Sequence, residues 1–418
     1  MRARRTASTL LIALVLAAGC SSSSGSDAAD DGATDPGADA ADTTTTTEPT
    51  IEVDVYEGDD DGFYEVPDPL PEGPHGTLIR YQRVPDADPE GASAYRIMYL
   101  SESVLDEPIA VTGIATVPTA EAPAEGRTMM TTAHGTTGIA DECAPSKKGG
   151  ANEGTLVRRA FADTAVVASA DYEGLGTPGR HPYLVGESEG RSVIDALLAA
   201  RELPDAETGT RFGIAGYSQG GHGALWAAEV SAEWAPDLEL VGTFSGAPAS
   251  EVGVILAAAY RLPQAGFAYM MIAGIAEAYD ADPAIVLTPK GVDLLDAVDE
   301  GCARETFAAV SGIPVEELVI PGGTGEPPWD ELGPAQDAGQ RKTNDAPVLI
   351  IHSEGDEVVP LFFSEQVTNR MCDNGQVVER RLIDEGGHTP AAVPAYDQAM
   401  AWMADRFAGE VDPISSCD

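Results

Sequence analysis

The chain has 418 residues, with 24 Lys and Arg against 69 Asp and Glu, and its formal charge is −45 at pH 7. Nucleic-acid backbones bind clustered basic residues, so this charge excludes a nucleic acid as partner. It also disfavours electrostatic attraction to anionic lipid headgroups. The 43% hydrophobic content allows a large core, in two domains or in one elaborated domain.

The N-terminus has the pattern of an export signal. Three arginines precede an apolar run over residues 10–18, and small residues lead to Cys20, as in secretory signal peptides. The stretch 16–20 resembles the bacterial lipoprotein box, although Ala17 stands where that pattern has a larger aliphatic residue. We predict a lipoprotein signal over 1–20, lipidation of Cys20 and attachment to the outer face of the cell membrane. Secretion without a lipid is the alternative.

Residues 21–62 have the composition of a linker. Ser, Gly, Ala, Asp and Thr dominate, and apolar bulk is nearly absent, so burial cannot offset the entropy of ordering the segment. No basic residue occurs between Arg5 and Arg80, and a like-charged chain extends by self-repulsion. We predict a disordered, acidic and Thr-rich tether, which is either a selected spacer or an unconstrained linker.

From about residue 63 the sequence alternates between apolar strand-like runs and helical patterns. The predicted strands are 109–117, 128–133, 165–170, 212–216, 238–244, 347–352 and 377–383, and the clearest helices are 191–201 and 219–232. Strands that alternate with helices predict a mainly parallel sheet with helices on both faces. The strands before residue 120 have no helices between them and predict an antiparallel edge.

The most informative motif is G-x-S-x-G at Gly216, Ser218 and Gly220. It lies between a predicted strand and a predicted helix, which is the context of a nucleophile elbow. The turn is so tight that side chains at the two glycines would collide with neighbouring backbone. Ser218 would project at a helix N-terminus, whose dipole favours developing negative charge. The motif predicts an α/β-hydrolase fold with Ser218 as nucleophile.

A serine nucleophile needs a base, and in this fold the chain order is nucleophile, acid, histidine. The six histidines are His75, His134, His181, His222, His352 and His388. His75, His134 and His181 precede the serine. His222 lies on the following helix, where we expect it to pack. His352 ends the strand that should carry the acid. This leaves His388, in a glycine-rich loop after a predicted strand, with an ordinary surface histidine as the alternative.

The acid should follow a strand between Ser218 and His388. Asp356 stands in the turn after the apolar strand 347–352, where a carboxylate can hold the histidine tautomer and stabilise the imidazolium. Glu354 and Glu357 are nearby alternatives. Asp384 is a weaker one, because it is too near His388 in sequence.

An oxyanion hole needs two backbone N–H donors. Gln219, directly after the nucleophile, should supply one. The loop that follows the strand 128–133 contains His134-Gly135-Thr136, and Thr136 should supply the other. Thr137 and a plain glycine turn without this role are the alternatives.

Several stretches together resemble the secretory lipase family, which contains the fungal lipase A enzymes and many actinobacterial relatives. They are 134–138, Cys143-Ala144-Pro145-Ser146, Asp171-Tyr172-Glu173-Gly174-Leu175-Gly176, 216–221, 355–360 and Gly387-His388. The resemblance extends over about 65–417. It implies an α/β-hydrolase core, a helical cap between nucleophile and acid, and hydrolysis of carboxylic esters, often triacylglycerols. We assign no catalytic role to 171–176 and interpret it as a glycine-rich strand exit that shapes the site.

A cap is also indicated by spacing, because 138 residues separate Ser218 from Asp356, far more than one further βαβ unit requires. Helical, largely apolar stretches fill this interval at 252–260, 267–279, 292–298 and 302–310. We predict core segments 63–249 and 341–418 with the cap at 250–340. Its apolar surplus suits acyl-chain binding, and ordinary helix packing is the alternative.

Of the five cysteines, Cys20 belongs to the signal, and Cys143, Cys302, Cys372 and Cys417 remain. An even number in an exported protein predicts two disulfides, with three possible pairings. The family resemblance implies the pairs Cys143–Cys302 and Cys372–Cys417. The motifs C-x-x-C and H-E-x-x-H do not occur in the sequence, so we predict neither a metal site nor a cofactor.

The motifs predict a serine carboxylic-ester hydrolase, most closely a triacylglycerol lipase. Removal of the signal, with its three arginines, brings the formal charge of the remaining chain to −48. Such a chain repels anionic bilayers, so a neutral ester or lipid is the expected substrate. The alternatives are a short-chain carboxylesterase, a peptidase-like hydrolase of the same fold, and a catalytically silent surface-binding protein.

Overall fold

The computed structural model describes residues 51–258, 265–384, 386–409 and 412–417. The predicted signal, Cys20 and most of the predicted tether lie outside these residues. The described residues form one ten-stranded sheet in the order β1-β2-β3-β4-β6-β5-β7-β8-β9-β10. The strands are β1 Asp54–Val55, β2 Leu78–Arg83, β3 Ala92–Glu102, β4 Pro108–Pro118, β5 Arg127–Ala133, β6 Ala165–Ala170, β7 Thr208–Tyr217, β8 Glu239–Gly246, β9 Val348–Ser353 and β10 Val378–Ile383.

The sheet has an antiparallel part and a parallel part, as the sequence predicted. Strands β2, β3, β4 and β6 pair antiparallel, and β6-β5-β7-β8-β9-β10 pair parallel. A short turn, closed by Ser103 N–H donating to the Glu107 carbonyl at 2.9 Å, joins β3 to β4. Only antiparallel neighbours can be joined so briefly, whereas parallel ones need a crossover segment. The α/β-hydrolase fold class is confirmed.

Helices cover both faces of the parallel part. They are α1 Gly154–Ala160, α2 Gly186–Ala200, α3 Gln219–Trp234, α9 Leu361–Asp373 and α10 Ala392–Ala408. In β9, Val348 and Ile350 join the cluster that contains α2 and α3, while Leu349 and Ile351 join the cluster that contains α1 and α10. Alternate strand residues point to opposite faces, so a continuous apolar strand fits a sheet buried on both sides.

The predicted cap interval contains short helices with an apolar core of their own. They are α4 Val252–Ala258, α5 Ala265–Tyr279, α6 Pro289–Asp293, α7 Ala303–Val310 and α8 Trp329–Ala335. Tyr269, Met270 and Ile272 of α5 pack with Trp329 and with residues 183–185, which precede α2. The cap therefore rests on the loop between β6 and α2. No helix in the described part of the chain is long and apolar enough to cross a bilayer.

The folded body begins earlier than predicted. Residues 51–62 were assigned to the tether, yet β1 pairs in parallel with Arg80 and Tyr81 of β2, and Ile51 and Tyr56 pack near the buried Phe63. Pairing with the edge of the sheet gives this segment hydrogen bonds that its acidic composition does not reveal. Residues 51–62 therefore belong to the folded body.

Both disulfide pairings implied by the family resemblance are present. Cys143–Cys302 links the segment after β5 to the start of α7, and Cys372–Cys417 links α9 to the C-terminal segment. Beside the first bridge, Gly138 pairs with Cys302, and Ala303 N–H donates to the Thr137 carbonyl at 2.9 Å. The bridge therefore fixes the cap to the segment that follows β5.

Replacing Cys143 and Cys302 together by Ala should lower the free energy of unfolding by about 5 kcal/mol on loop entropy alone, since the bridge closes 159 positions. Urea unfolding measures the loss. We also expect faster hydrogen exchange at the Ala303 amide, because its partner Thr137 is no longer fixed. The matched control is the Cys372/Cys417 double Ala variant, whose bridge closes 45 positions and should contribute about 4 kcal/mol. An unchanged Ala303 exchange rate in the first variant would contradict the proposed coupling of cap and core.

Candidate active site

The G-x-S-x-G segment forms a sharp turn from β7 into α3. Ser218 has φ +63° and ψ −120°, a conformation that side chains rarely adopt and that stores strain. A Cβ at Gly216 would lie 1.9 Å from the Gly220 carbonyl oxygen, and one at Gly220 would lie 2.1 Å from the Ala133 carbonyl oxygen. Both positions therefore require glycine, as the motif predicted.

The structure brings together the three predicted catalytic side chains. His388 Nε2 lies 2.9 Å from Ser218 Oγ, and His388 Nδ1 lies 2.7 Å from Asp356 Oδ2. The three residues follow the carboxyl ends of β7, β9 and β10, which meet at one edge of the parallel sheet. The ring of His388 is largely buried. This is the hydrogen-bonded chain that a serine nucleophile needs.

Asp356 is held as a carboxylate by a dense set of donors. Its Oδ1 accepts hydrogen bonds from Val358 N–H at 2.9 Å and Val359 N–H at 2.8 Å. Burial opposes its ionisation, but hydrogen bonds from His352 and His388 outweigh burial and hold the pKa of Asp356 well below its usual range. Asp356 therefore stays ionised at any pH at which the protein is expected to work.

Two residues support the triad in ways that the sequence did not assign. His352 Nε2 lies 3.1 Å from Asp356 Oδ2 and 3.2 Å from the Val359 carbonyl oxygen, so it donates towards the triad acid. Glu357, an alternative acid in the sequence, instead accepts the backbone N–H of His388 at 3.0 Å. In the sequence, the only sign of these roles is that His352 and Glu357 lie close to Asp356 along the chain. That closeness does not tell which way either side chain points.

Glu354 and Asp384, the two remaining candidates for the acid, lie on the surface. Both side chains are exposed, and within the described part of the chain neither is hydrogen bonded to His388.

The main chain of His388 has a partner of its own. Tyr217 donates its hydroxyl to the His388 carbonyl at 2.7 Å. The main chain of His388 is thus held on both its N–H and its C=O.

The two predicted oxyanion residues lie on segments that touch each other. Gln219 begins α3 and is 1% exposed, while Thr136 follows β5 and bonds through Oγ1 to the Tyr183 hydroxyl at 2.7 Å. A Cβ on Gly220 would lie 2.9 Å from the carbonyl carbon of His134. This contact brings the loop of Thr136 against the elbow. Thr137 is the alternative residue for the second N–H donor. Its carbonyl accepts a hydrogen bond from the Ala303 N–H of the cap.

Two other histidines set aside in the sequence are hydrogen bonded to acidic side chains outside the triad. His75 Nδ1 bonds Asp195 at 2.6 Å. His222 packs on α3 as expected and bonds Glu189 at 2.7 Å. Over the described ranges, no cluster of His, Cys, Asp and Glu side chains is arranged to hold a metal ion.

An apolar cavity of about 260 Å³ opens beside Ser218 and Gln219. The cap contributes Ile255, Phe267 and Met271, and the start of α9 contributes Phe362 and Phe363. Phe362 is 46% exposed, so the lining of the cavity reaches the protein surface at this residue. Such a cavity accommodates hydrocarbon next to a few polar groups that fix its orientation.

The family model of secretory lipases matches residues 150–319 and 335–413, more than half of the chain. The chain belongs to the secretory lipase family. The matched residues include Ser218, Asp356 and His388, together with most of the cap. The resemblance noted in the sequence is therefore confirmed at the level of the family.

Curated relatives of this family member are lipases by name. A secreted triacylglycerol lipase of Malassezia restricta is 28% identical over 389 residues, which cover 84% of this chain and 80% of the relative. A probable inactive lipase of Mycobacterium tuberculosis is 24% identical over 379 residues, which cover 84% and 82%. At least one relative of this chain is therefore named as inactive.

Solved structures share the fold. Candida antarctica lipase A in its closed state has a TM-score of 0.71 at 21% identity, covering 85% of this chain and 87% of that one. The rice cell wall degrading esterase LipA of Xanthomonas oryzae has a TM-score of 0.65 at 18% identity, covering 80% and 98%. Fold and family together support an α/β hydrolase of the lipase and esterase kind.

Labelling of Ser218 by a fluorophosphonate probe should show how the triad titrates. Because the pKa of Asp356 is lowered well below its usual range, its carboxylate should stay ionised at mildly acid pH and take up no proton that would slow labelling. The logarithm of the labelling rate should therefore rise with pH with a slope of about one on the acid side.

The control is His388→Ala, which should label about 10²-fold more slowly and without this pH dependence. A slope near two on the acid side would show that the Asp356 carboxylate also takes up a proton, contrary to its lowered pKa.

Proposed function

We propose that the chain is a serine carboxylic-ester hydrolase, and most closely a triacylglycerol lipase, that works through an acyl-enzyme on Ser218. The observation that carries the proposal is the hydrogen-bonded chain Asp356–His388–Ser218 beside an apolar cavity. The name of the Malassezia relative supports the triacylglycerol class.

In the acylation step, Ser218 Oγ attacks the ester carbonyl carbon while His388 Nε2 takes its proton. The oxyanion of the tetrahedral intermediate accepts hydrogen bonds from the backbone N–H groups of Gln219 and Thr136. His388 then gives its proton to the alcohol oxygen as the bond from carbonyl carbon to that oxygen breaks. The alcohol leaves, and the acyl group stays on Ser218.

In the deacylation step, a water molecule takes the place of the alcohol. His388 removes a proton from the water as its oxygen attacks the acyl carbon, and the proton passes to Ser218 Oγ as the acyl bond breaks. Asp356 remains a carboxylate throughout and stabilises the imidazolium that forms in each half-reaction. The fatty acid leaves and the enzyme is regenerated.

The surroundings of Ser218 favour a neutral, hydrophobic ester. The cavity lining comes largely from aliphatic and aromatic side chains, and burial of an acyl chain gains about 0.8 kcal/mol per methylene. The net charge of the chain, −45 over its full length, opposes the approach of anionic phospholipid surfaces.

A catalytically silent surface protein is the second candidate, because one relative is named a probable inactive lipase. The 2.9 Å contact between His388 and Ser218 favours the enzyme. The strained backbone of Ser218 favours it too, since a protein without catalytic activity has no use for that strain. A peptidase-like activity has no comparable support, because the cavity lining offers little polar surface for a peptide amine.

Hydrolysis rates of p-nitrophenyl esters from C2 to C18 test the function. We expect long and medium chains to be preferred over C2, and Ser218→Ala to lower kcat/KM by at least about 10³-fold. Full activity in Ser218→Ala would contradict the proposed function. A rate that is highest for the C2 ester would indicate a short-chain esterase instead of a lipase.

A matched pair of variants tests the cavity in the same assay. Ile255→Trp, inside the cavity, should shift the preference to shorter acyl chains because the larger ring occupies acyl space. Ile320→Trp places the same change on an exposed cap residue and should leave the chain-length profile as in the wild type.

We further propose that the chain is exported and anchored through a lipid on Cys20. The support is the signal pattern over 1–20, the two disulfides, which persist in oxidising compartments, and relatives named as secreted. Mass spectrometry of the mature N-terminus should find a diacylglyceryl cysteine at position 20. An unmodified N-terminus beyond Cys20 would indicate simple secretion instead.

A further inference from the structure

The segment from Asp171 to Glu189 comprises the connection from β6 to α2 and the first residues of α2, and it contains the motif 171–176 that the proposed mechanism does not use. Tyr172, His181 and Glu189 on this segment are fully buried. Buried polar side chains need partners, and the partners here are the two regions that should form the oxyanion hole.

One set of contacts holds the loop of Thr136. Tyr172 donates its hydroxyl to the His134 carbonyl at 3.0 Å, and its ring lies on the His134 ring with centroids 4.3 Å apart. His134 Nε2 in turn lies 3.0 Å from the Asp171 carbonyl oxygen. Tyr183 bonds Thr136 Oγ1 at 2.7 Å. The loop is therefore held on both sides of Gly135 by this one segment.

A second set of contacts holds Gln219. Its amide Nε2 lies 2.9 Å from Glu189 Oε1 and 3.0 Å from His181 Nε2. His181 Nδ1 donates to the Glu173 carbonyl at 2.9 Å, so Nε2 carries a lone pair that can accept. Burial lowers the pKa of His181 to about 3, which keeps the ring neutral in this role. Both amide hydrogens of Gln219 are thus used.

The acceptor Glu189 is itself anchored. Its Oε2 bonds His222 Nδ1 at 2.7 Å, and His222 Nε2 bonds the Gln336 carbonyl oxygen at 2.8 Å. Burial disfavours a charged His222, but the Glu189 carboxylate and the hydrogen bonds raise its pKa above the ordinary value. The carboxylate is therefore fixed between α3 and the end of the cap.

The backbone of Tyr172 shows that its position is enforced. Its φ is +76°, a left-handed conformation that is strained in a bulky residue. A Cβ on Gly223 would lie 3.3 Å from the Tyr172 hydroxyl and 3.2 Å from Glu189 Oε2. Both polar groups thus lie directly against the first turns of α3, behind the nucleophile.

We propose that the segment 171–189 is a positioning brace for the oxyanion hole, in which Tyr172 fixes the Thr136 loop and Glu189 fixes Gln219. The inference rests on the proposed function, since it concerns the two N–H donors assigned there. Oxyanion stabilisation depends on donors fixed in advance at the developing charge, and supporting contacts supply that rigidity. Tyr172 and Glu189 are positioning residues and do not touch the substrate.

Tyr172→Phe removes only the hydroxyl. The brace predicts that kcat falls about 10- to 100-fold, with KM changed less than about threefold. Affinity for a trifluoromethyl ketone, which forms the tetrahedral adduct, should fall in parallel with kcat/KM, while affinity for a long-chain alcohol should stay constant. The fraction of active enzyme is measured by fluorophosphonate titration, so that a folding defect is not counted as a catalytic one.

The matched control is Tyr99→Phe. Tyr99 is also fully buried and donates its hydroxyl to a backbone carbonyl, that of Ser192, at 2.9 Å. This variant should keep the wild-type kcat and ketone affinity. Should Tyr172→Phe fail to fold, Tyr183→Phe removes the hydroxyl that bonds Thr136 and is judged by the same criteria.

The results separate the brace from the proposed function. Full hydrolysis by Ser218→Ala overturns the proposed function and the brace with it. If Ser218→Ala is inactive but Tyr172→Phe matches Tyr99→Phe in kcat and ketone affinity, the brace alone is wrong. A change in KM without a change in kcat, or a loss explained entirely by fewer active molecules, overturns the brace as well.

Discussion

The close approach of two backbone segments, β5 with its exit and the elbow after β7, is the constraint on which the site depends. The Gly220 carbonyl lies so near Gly216, and the Ala133 carbonyl so near Gly220, that neither position has room for a methyl group. The contact forces Ser218 into a strained conformation and sets the first turn of α3 against the loop of Thr136. Parallel pairing of β5 with β7 makes this approach possible.

A buried polar network contacts both the first turn of α3 and the loop of Thr136. Glu189, His181 and Tyr172 hydrogen bond to Gln219 and His134, and all five residues are buried. Hydrogen bonds are strong in such surroundings, and an unpaired group there is costly. The network therefore allows these side chains few arrangements, as the proposed oxyanion hole requires.

The sequence predicted the parts of the site that depend on local motifs and chain order. Ser218 was marked by its glycines, and Asp356 and His388 by their positions after strands. The brace over 171–189 could not be predicted, because its contacts join residues far apart in the chain and burial decides their direction. The place of residues 51–62 in the folded body was missed for the same reason, because it depends on pairing with β2.

The Cys143–Cys302 bridge has a mechanical consequence. Its Cα atoms are 5.5 Å apart, and the adjacent Gly138–Cys302 pairing continues the attachment to the loop of Thr136. This corner of the cap is a fixed pivot, so any opening of the cap must swing about it. The loop of Thr136 would keep its place during such a swing, and Phe362 of α9, which lies outside the cap, would still line the cavity from the core.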